Sequence, residues 1–426
     1  MMQFESRRDV CYNRFRNMSE DDAFLTPIRE RPDDDGPRLI YADYLDDRGD
    51  LRGTFIRLQC AKARLNDDDP RRIVLGEQEF YLLEAYRHLW TANFRGLTSA
   101  EEFQRGFVES VNLEARVFLL RSEELFRLAP IRHIRLLDAG GLIRQIASSP
   151  DLARLAELTI GMQHMGERLA RALAESPHLE NLRILRLPRN RLGDAGVAAL
   201  AGSGSFANLK HLDLRENVIG DLGARNLASS RGFEQLESLD LPMNQIGFPG
   251  LEALAGSNRL QHLTSLALGL NQVGTPRSPI ESGDRGEPRL THLDLSDNNV
   301  NPFSIGSLIS VPSLRGLNSL DLNRNLMGNA GVEILAGAPF LATLRNVSLN
   351  SNNIRDEGAR AIARSAYISG LEELDLRFNP IGEAGAQALL ESANLRPLKY
   401  LGVAYLELSP QTRRALQARF GTRLKT

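Results

Sequence analysis

The residues whose spacing could support binding chemistry form a column of aspartates in the second half of the chain. Each lies four residues before an asparagine, and the sequence separation of any two of them is a multiple of one constant interval. The five are Asp213, Asp240, Asp294, Asp321 and Asp375. If each aspartate belongs to a short strand of one sheet, neighbouring strands lie about 4.8 Å apart. The carboxylates of adjacent strands then repel one another. A basic region of a partner protein would relieve that repulsion. The alternative is that each unit simply contains one structural aspartate.

A second set of residues has the composition of protein-interface anchors. Just before the asparagines, four units carry apolar residues where exposure to solvent is expected. Aromatic, Met and Arg side chains are enriched in the cores of protein interfaces. We therefore predict that the aspartate column forms a partner-binding surface together with Arg215, Met243, Leu270, Arg324, Arg377, Phe378, Tyr400 and Tyr405.

Motifs for metal binding and catalysis are missing from the sequence. His211 and His292 fall on the same predicted face, but three units separate them, about 14 Å at strand spacing, which is too far for one metal ion. The aspartates at 33–35, 46, 47 and 50 do not fit the spacing of a calcium loop. There is no G-x-x-x-x-G-K-[ST], H-E-x-x-H or G-x-S-x-G motif and no strand-linked G-x-G-x-x-G. We expect no enzyme activity, no metal and no cofactor.

Composition narrows the possible partners and the compartment. A formal net charge of −2 gives no field that would attract nucleic acid. No run approaches the ~18 apolar residues that a membrane span needs, and the first residues lack the apolar core of a signal peptide. The two cysteines, Cys11 and Cys60, provide no disulfide framework. These features favour a cytoplasmic protein that binds neither nucleic acid nor membrane.

A fixed repeat organises most of the chain. The pattern L-x-x-L-x-L-x-x-N recurs at a constant interval, and its asparagines are Asn190, Asn217, Asn244, Asn271, Asn298, Asn325, Asn352 and Asn379. The alternating leucines indicate a short half-buried strand, and the following x-I-G-x-x-G-x-x-x-L-A indicates a helix. Each asparagine amide is expected to pair with backbone groups where the chain leaves the strand, so that stacked copies form a ladder.

This pattern resembles leucine-rich repeats, specifically the ribonuclease-inhibitor-like subclass with one helix per unit. Weaker copies flank the eight units, at Val108–Leu113, Ile131–Leu136, Leu155–Ile160 and Leu398–Val403. Together they predict about twelve strands over residues 107–408. Strands pack more closely than helices, so the predicted fold is an α/β horseshoe solenoid with parallel strands on the concave face and helices on the convex face. Prolines and glycines after Asn271 predict an irregular loop at 274–289.

The flanking segments divide into four further regions. We predict a loose tail at 1–17, a helical domain at 18–66, a helical N-terminal cap at 67–106 and a C-terminal capping helix at 409–426. Within them the apolar spacing predicts that certain side chains face inward. These are Phe24, Leu25, Ile28, Leu39, Ile40, Tyr44, Leu45, Phe55, Leu58, Cys60, Leu65, Phe80, Leu83, Tyr86, Leu89 and Trp90.

The helical domain at 18–66 resembles the short repeat-companion domain found ahead of leucine-rich repeats in certain bacterial families. The matching residues are Pro37, Arg38, Tyr41, Asp43, Leu45, Gly49, Asp50, Arg52, Gly53, Phe55 and Gln59. The resemblance covers about a tenth of the chain and implies no established activity. Arg38, Tyr41, Asp43 and Arg52 could form a polar site or a structural network.

Three functional hypotheses follow. The first is a non-enzymatic scaffold that binds a protein partner of unknown identity on the concave face of a preorganised sheet. The second is a regulator of a partner enzyme such as a GTPase or a nuclease, an analogy based on the repeat fold alone. The third is a catalytic or ligand-binding activity in the companion domain. The sequence indicates neither an oligomeric state nor a pathway.

Overall fold

The computed structural model describes residues 21–274, 289–403, 408–421 and 424–425. The chain divides into two compact units, Met1–Thr159 and Ile160–Thr426. Tyr405 and nearly all of the loop predicted at 274–289 lie outside the described residues, as does the tail predicted at 1–17.

The first unit combines helices with a four-stranded sheet of order β1-β2-β3-β4, in which β1 runs antiparallel to β2 and the other pairings are parallel. Its helices are α1 (21–30), α2 (Asp35–Asp46), α3 (Arg52–Ala63), α4 (Arg71–Trp90), α5 (Ala115–Leu128) and α6 (Ile143–Ala147), with 3₁₀ turns at Ala92–Phe94 and Pro150–Arg154. Its strands are β1 (Ala100–Gln104), β2 (Phe107–Glu114), β3 (His133–Leu137) and β4 (Glu157–Thr159).

The core of the helical segment is formed mainly by α2 and α3, packed against α1 and the start of β2. The fully buried members are Ile28, Tyr41, Ala42, Leu45, Ile56, Cys60 and Phe107. One inward prediction fails in α2, where Ile40 is 60% exposed; Leu58 in α3 and Leu65 beyond its end are half-buried. The buried stripe of α2 instead follows Arg38, Tyr41, Ala42 and Leu45 at helical spacing, because a charged side chain and a tyrosine occupy core positions.

The edge of β1 is covered by side chains from α3 and α4. Arg87 Nη1 donates to the carbonyl oxygen of Glu101 at 2.9 Å, and Gln59 Nε2 donates to that of Phe103 at 3.4 Å. Trp90 packs on the ring of Phe55, with centroids 4.8 Å apart. Such cover protects unpaired backbone groups at a sheet edge.

Residues 67–106 are not helical throughout, contrary to expectation. The chain reverses at Arg105 and Gly106, whose φ angles of 47° and 88° suit a two-residue hairpin, and this turn brings β1 against β2. Gly106 is required there, because an added Cβ would lie 2.2 Å from Ile56 Cγ1. In α4, Phe80 and Leu89 also point outward, at 59% and 50% exposure, which contradicts the prediction that they face inward.

The second unit stacks one strand and, in most cases, one helix per repeat. Its strands are β5 (Ile184–Arg186), β6 (His211–Asp213), β7 (Ser238–Asp240), β8 (Ser265–Ala267), β9 (His292–Asp294), β10 (Ser319–Asp321), β11 (Asn346–Ser348), β12 (Glu373–Asp375), β13 (Tyr400–Gly402) and β14 (Leu424–Lys425), each paired in parallel with the next.

The helices of the second unit pack against one another as a second layer. They are α7 (Glu167–Ala174), α8 (Gly193–Ala201), α9 (Asp221–Ala228), α10 (Phe248–Ala255), α11 (Pro302–Ser310), α12 (Gly328–Ala336), α13 (Asp356–Arg364), α14 (Glu383–Glu391) and α15 (Pro410–Phe420), with 3₁₀ turns at Pro312–Leu314, Pro339–Thr343, Ile368–Gly370 and Ala393–Leu395. The core lies between the layers, where the repeat leucines such as Leu185, Leu212 and Leu239 are fully buried.

The twelve predicted strands are present as β2 to β13, so the prediction of a parallel solenoid fold is confirmed. Two strands were not predicted, the antiparallel β1 and the short β14. The latter follows α15, which begins after the cap Ser409 and ends before Gly421, whose φ is 58°. The few residues after α15 carry no strand periodicity long enough to recognise in the sequence.

Candidate partner-binding surface on the strand face

The strand face is the surface formed by the outward strand residues and the residue before each ladder asparagine in the second unit. The asparagines themselves are buried and bind the backbone of two neighbouring repeats. Asn217 Nδ2 donates to the carbonyl oxygens of Leu187 and Leu214 at 2.8 and 2.9 Å. Its Oδ1 accepts from the backbone N–H of Asn190 at 3.1 Å. Because their amides are used in this way, the asparagines offer little to a ligand.

Four of the five column aspartates bind the backbone N–H two residues further on. The four donors are the backbone N–H groups of Arg215, Ser296, Asn323 and Arg377, at 2.8–3.0 Å from the carboxylates of Asp213, Asp294, Asp321 and Asp375. This bond satisfies an N–H where the chain leaves the strand. The aspartate therefore has a local structural role, which was the alternative to partner binding.

Two of these aspartates are also neutralised by arginines of their own repeats. Asp213 and Asp375 are only 3% and 8% exposed. Arg215 Nε lies 2.9 Å from Asp213, and Arg377 Nη2 lies 2.7 Å from Asp375. The hydrogen bonds to these carboxylates raise the pKa of both arginines. The expectation of an exposed acidic column is wrong at these two positions, because each carboxylate turns into its own loop.

Asp240 differs because the residue two positions later is Pro242, which has no N–H to donate. Its carboxylate instead lies 3.4 Å from His211 Nε2 and 3.6 Å from Arg215 Nη2. Burial lowers the pKa of His211 below its ordinary 6.5 and raises the pKa of Asp240. The imidazole is therefore uncharged at neutral pH, and Arg215 is the cation that faces Asp240.

Asp294 and Asp321 form the part of the column that keeps its negative charge unpaired. They are direct partners on adjacent strands. Among the described residues no cationic side chain lies within ion-pair distance of either carboxylate, and Arg324 pairs instead with Asp297 at 3.5 Å. Burial raises the pKa of Asp321 to about 6, and the charges of Asp294 and Asp375 add to that shift.

The residue before each ladder asparagine adopts a left-handed backbone conformation. The apolar ones, Met243, Leu270 and Phe378, have φ angles of 56°, 57° and 54° and are 46%, 43% and 70% exposed. This conformation is unfavourable for bulky L-residues by roughly 1–2 kcal/mol. The remaining repeats carry other residue types there, namely Arg189, Glu216, Asp297, Arg324 and Ser351.

The exposed apolar residues of the strand face form two separate groups. Met243 and Leu270 lie in adjacent repeats, since the N–H of Met243 bonds to the carbonyl of Gly269 at 2.9 Å. Phe378 lies four repeats beyond Leu270, about 19 Å at strand spacing. Tyr400, half-buried in β13, shares the end of the unit with Phe378, and burial raises its pKa.

Met162 was missed by the sequence analysis. It has a φ of 61° and is 57% exposed, and the repeat to which it belongs has Gln163 in place of the ladder asparagine. The repeat pattern that ends at Gln163 already gives Met162 the same place as Met243 before Asn244, and this was the signal for its exposure.

The four residues predicted as a polar site in the N-terminal helical segment do not converge on an open site. Arg38 is fully buried, where its Nη2 donates to Glu109 Oε1 at 2.6 Å and to the carbonyl of Pro32 at 2.9 Å. This ion pair joins α2 to β2. Tyr41 is 3% exposed, and its hydroxyl donates to Asp21 Oδ1 at 3.0 Å. Both side chains are used in packing.

The other two residues of that group face different surroundings. Asp43 is exposed and forms an ion pair with Arg57. The guanidinium of Arg52 lies 5.4 Å from the ring centroid of Phe107. Arg38 and Arg52 thus contact residues of β2, whereas Tyr41 bonds to Asp21 and Asp43 pairs with Arg57 of α3.

No cluster of three or more His, Cys, Asp or Glu side chains among the described residues has the geometry to hold a metal ion. No described helix is both long enough and apolar enough to cross a membrane.

Comparison with known proteins supports the fold. The Leucine Rich repeat family matches seven segments that cover about a third of the chain, at residues 178–201, 207–228, 235–255, 259–276, 288–302, 341–363 and 371–390. No curated protein matches the chain.

Two solved structures are similar at low sequence identity. A chain of the mouse RP105/MD-1 complex has a TM-score of 0.47 at 18% identity, covering 75% of this chain and 54% of its own length. An internalin from Listeria monocytogenes has a TM-score of 0.41 at 18% identity, covering 79% of this chain and 93% of its own. The chain thus spans about half the length of the mouse protein it matches. With the family match and the stacked strands described above, residues 160–426 form a leucine-rich-repeat solenoid.

Proposed function

We propose that this chain is a non-enzymatic scaffold that binds a protein partner on its strand face. The observation that carries the proposal is the exposure of Met243, Leu270 and Phe378 in left-handed backbone positions. An Asn or Gly there would avoid both the backbone cost and the exposed apolar surface. Apolar side chains that are unfavourable for folding and for solvation are well explained by binding.

The charge between the two anchor groups suggests the chemistry of the partner. Asp294 and Asp321 lie between Leu270 on one side and Phe378 on the other, and the described residues give them no cation. A partner segment with a Lys or Arg flanked by apolar side chains would complement this arrangement. Its cation would also lower the pKa of Asp321 by opposing the effect of burial.

Several finer assignments belong to this proposal. The constant repeat length and the single helix in most repeats favour the ribonuclease-inhibitor-like subclass. The match of Pro37 to Gln59 favours a companion domain at 18–66, followed by a cap at 67–106, repeats at 107–408 and a closing segment at 409–426. Balanced charge and two cysteines favour a cytoplasmic location.

Affinity capture with the full chain tests the proposal. We expect a partner retained from lysate of the source cells to be lost with Met243→Asn plus Leu270→Asn, and to be lost separately with Phe378→Asn. Leu222→Asn is a matched control, since Leu222 is 55% exposed on the helix layer and not on the strand face. Capture that survives both strand-face variants, or that fails equally with Leu222→Asn, would contradict binding at this surface.

A regulator of an enzyme would use the same surface, and the identity of the captured protein would distinguish the two roles. The third hypothesis is tested by Asp43→Asn. If the companion domain carries an activity, this variant should remove it while leaving capture intact.

A further inference from the structure

A cavity of about 540 Å³ lies in the first unit, between the C-terminal end of α3, the first half of α4 and the turn that follows β1. Cations outnumber carboxylates on its walls. The charged side chains that line it are Lys62, Arg64, Arg72 and Arg105 against Asp35 and Glu79. Four cations and two carboxylates give the lining a formal charge of +2, whereas the whole chain carries −2. A concave site with such an excess attracts ligands of the opposite charge.

The ammonium group of Lys62 is fixed on one wall of this cavity. Its Nζ donates to Glu79 Oε2 at 2.5 Å, and Gln59 Nε2 donates to Glu79 Oε1 at 2.6 Å. Gln59 is only 6% exposed and is itself held by the backbone N–H of Gly106, which donates to its Oε1 at 2.6 Å. The other two hydrogens of the Lys62 ammonium have no acceptor among the described residues. They remain available to an anionic ligand.

The guanidinium group of Arg64 provides a second set of free donors. Its Nε donates to Asp35 Oδ2 at 2.9 Å, while no described residue accepts a hydrogen bond from its Nη1 or Nη2. Arg72 fixes a third cation beside them, because its Nη1 donates to the carbonyl oxygens of Lys62 and Leu65 at 3.1 and 3.0 Å, at the end of α3. Guanidinium groups bind oxyanions through two parallel N–H bonds, and the free nitrogens of Arg64 permit this.

Two carboxylates outside the lining reduce this positive excess only in part. Asp33 lies 3.5 Å from Arg105 but is bound more closely by Arg132, at 2.7 Å. Asp67 lies 3.4 Å from Arg72, and its side chain is fully exposed, so water and salt screen that pair. Positive charge therefore remains in excess around the cavity.

We propose that this cavity binds a small organic dianion, either a phosphate monoester or a dicarboxylate, with Lys62 and Arg64 as its hydrogen-bond donors. The free donors of these two residues suit the oxygens of such a ligand, and its two negative charges match the charge of the lining. The cavity volume falls within the ~300–1,000 Å³ typical of small-ligand sites. Ala63 and Phe103 also line it and supply contacts for the carbon part of the ligand. This site belongs to the first unit and is independent of partner binding on the strand face.

Calorimetry with the full chain and three aromatic probes of similar size tests the proposal. At pH 8 phenyl phosphate and phthalate are dianions, because the second pKa of a phosphate ester is about 6, whereas benzenesulfonate is a monoanion. We expect at least one dianion to bind roughly tenfold more tightly than benzenesulfonate, and the tighter dianion identifies the acidic group of the ligand. Absence of binding by both dianions, or affinity equal to that of benzenesulfonate, would overturn the proposal.

Substitutions test the donors. Lys62→Gln and Arg64→Gln should each raise the Kd of the preferred dianion roughly tenfold, because each removes charge-assisted hydrogen bonds. Lys210→Gln is a matched control that should keep the native Kd, since Lys210 forms the same kind of pair with Glu237, at 2.6 Å, and does not line the cavity. Glu79→Gln should tighten binding a fewfold, because it raises the formal charge of the lining by one, and misfolding cannot produce a gain. Native Kd in both Lys62→Gln and Arg64→Gln, or no gain in Glu79→Gln, would refute the assignment.

Discussion

Replacing Phe378 with asparagine separates binding from folding at a single position. Phe378 has a φ of 54° and is 70% exposed, so less than a third of its surface is buried. Losing that burial costs about 0.5–1 kcal/mol, since a fully buried Phe contributes roughly 1.5–3 kcal/mol. Asparagine tolerates the left-handed conformation, which returns on the order of 0.5–1 kcal/mol. The two effects nearly cancel.

The expected result is a protein with almost unchanged stability and much weaker binding. Removing an aromatic anchor from an interface core typically costs about 2 kcal/mol or more, roughly a thirtyfold rise in Kd. Stability would be read from urea unfolding, and Kd from calorimetry with the captured partner. Phe378→Ala should be the less stable of the two variants, because alanine loses the same burial without relieving the backbone.

A matched control uses the same position one repeat earlier. Ser351 has a φ of 56° and carries no apolar side chain, so Ser351→Asn should keep both stability and Kd. If Phe378→Asn lowers the free energy of unfolding by about 2 kcal/mol, the ring is a packing residue and the reasoning fails. Unchanged Kd in Phe378→Asn would equally refute its role as an anchor.

Three further predictions concern stability. In the folded state Asp321 has a pKa of about 6, against 3.8 for an ordinary aspartate, so the folded state binds the proton more tightly than the unfolded state does. Its contribution to the free energy of unfolding is therefore fully present below pH 3.8 and is lost as the pH rises through about 6. The free energy of unfolding of Asp321→Asn, relative to that of the native chain, should therefore rise by about 1 kcal/mol between acid and mildly alkaline pH, after allowance for solvent screening. A difference between the two proteins in urea unfolding that does not change with pH would contradict this. Asn217→Ala should cost about 2–5 kcal/mol, because several buried backbone groups lose their partner, and a thermal shift of only a degree or two would refute the ladder's role. Gly106→Ala should cost about 2 kcal/mol or more, because its Cβ would collide with Ile56, whereas Gly140→Ala, with open space around it, should be neutral in the same assay.

The repeat units could be predicted well because each is determined locally and then copied. Leucine at alternate positions specifies a strand, and an asparagine at a constant interval specifies where the chain turns. The helical segments before the repeats were harder. Helical spacing gave the right elements but the wrong face at Ile40 and at Phe80, since apolar residues in these helices lie on more than one side.

The candidate surface shows the same division. The exposure of Met243, Leu270 and Phe378 follows from their place before the asparagine, so the sequence alone predicted that these side chains are exposed. The partners of the aspartates depended on their surroundings, because a carboxylate with an arginine two residues further on pairs within its own repeat, whereas Asp240, with a proline there, pairs with the neighbouring repeat. Asp240 became a partner of His211 and Arg215 for this reason, which only the register of β6 and β7 reveals.

The sequence by itself determined the period of the repeat, the positions of its twelve strands and the identity of its buried leucines and asparagines. These are properties of short segments, and the hydrophobic periodicity of each segment predicts them. The tertiary structure decided which charges are paired, which helix face is left uncovered and how the first strand is protected at its edge. Those outcomes depend on contacts between residues far apart in the chain, such as Arg38 with Glu109 and Arg87 with Glu101, and local sequence patterns do not encode such contacts.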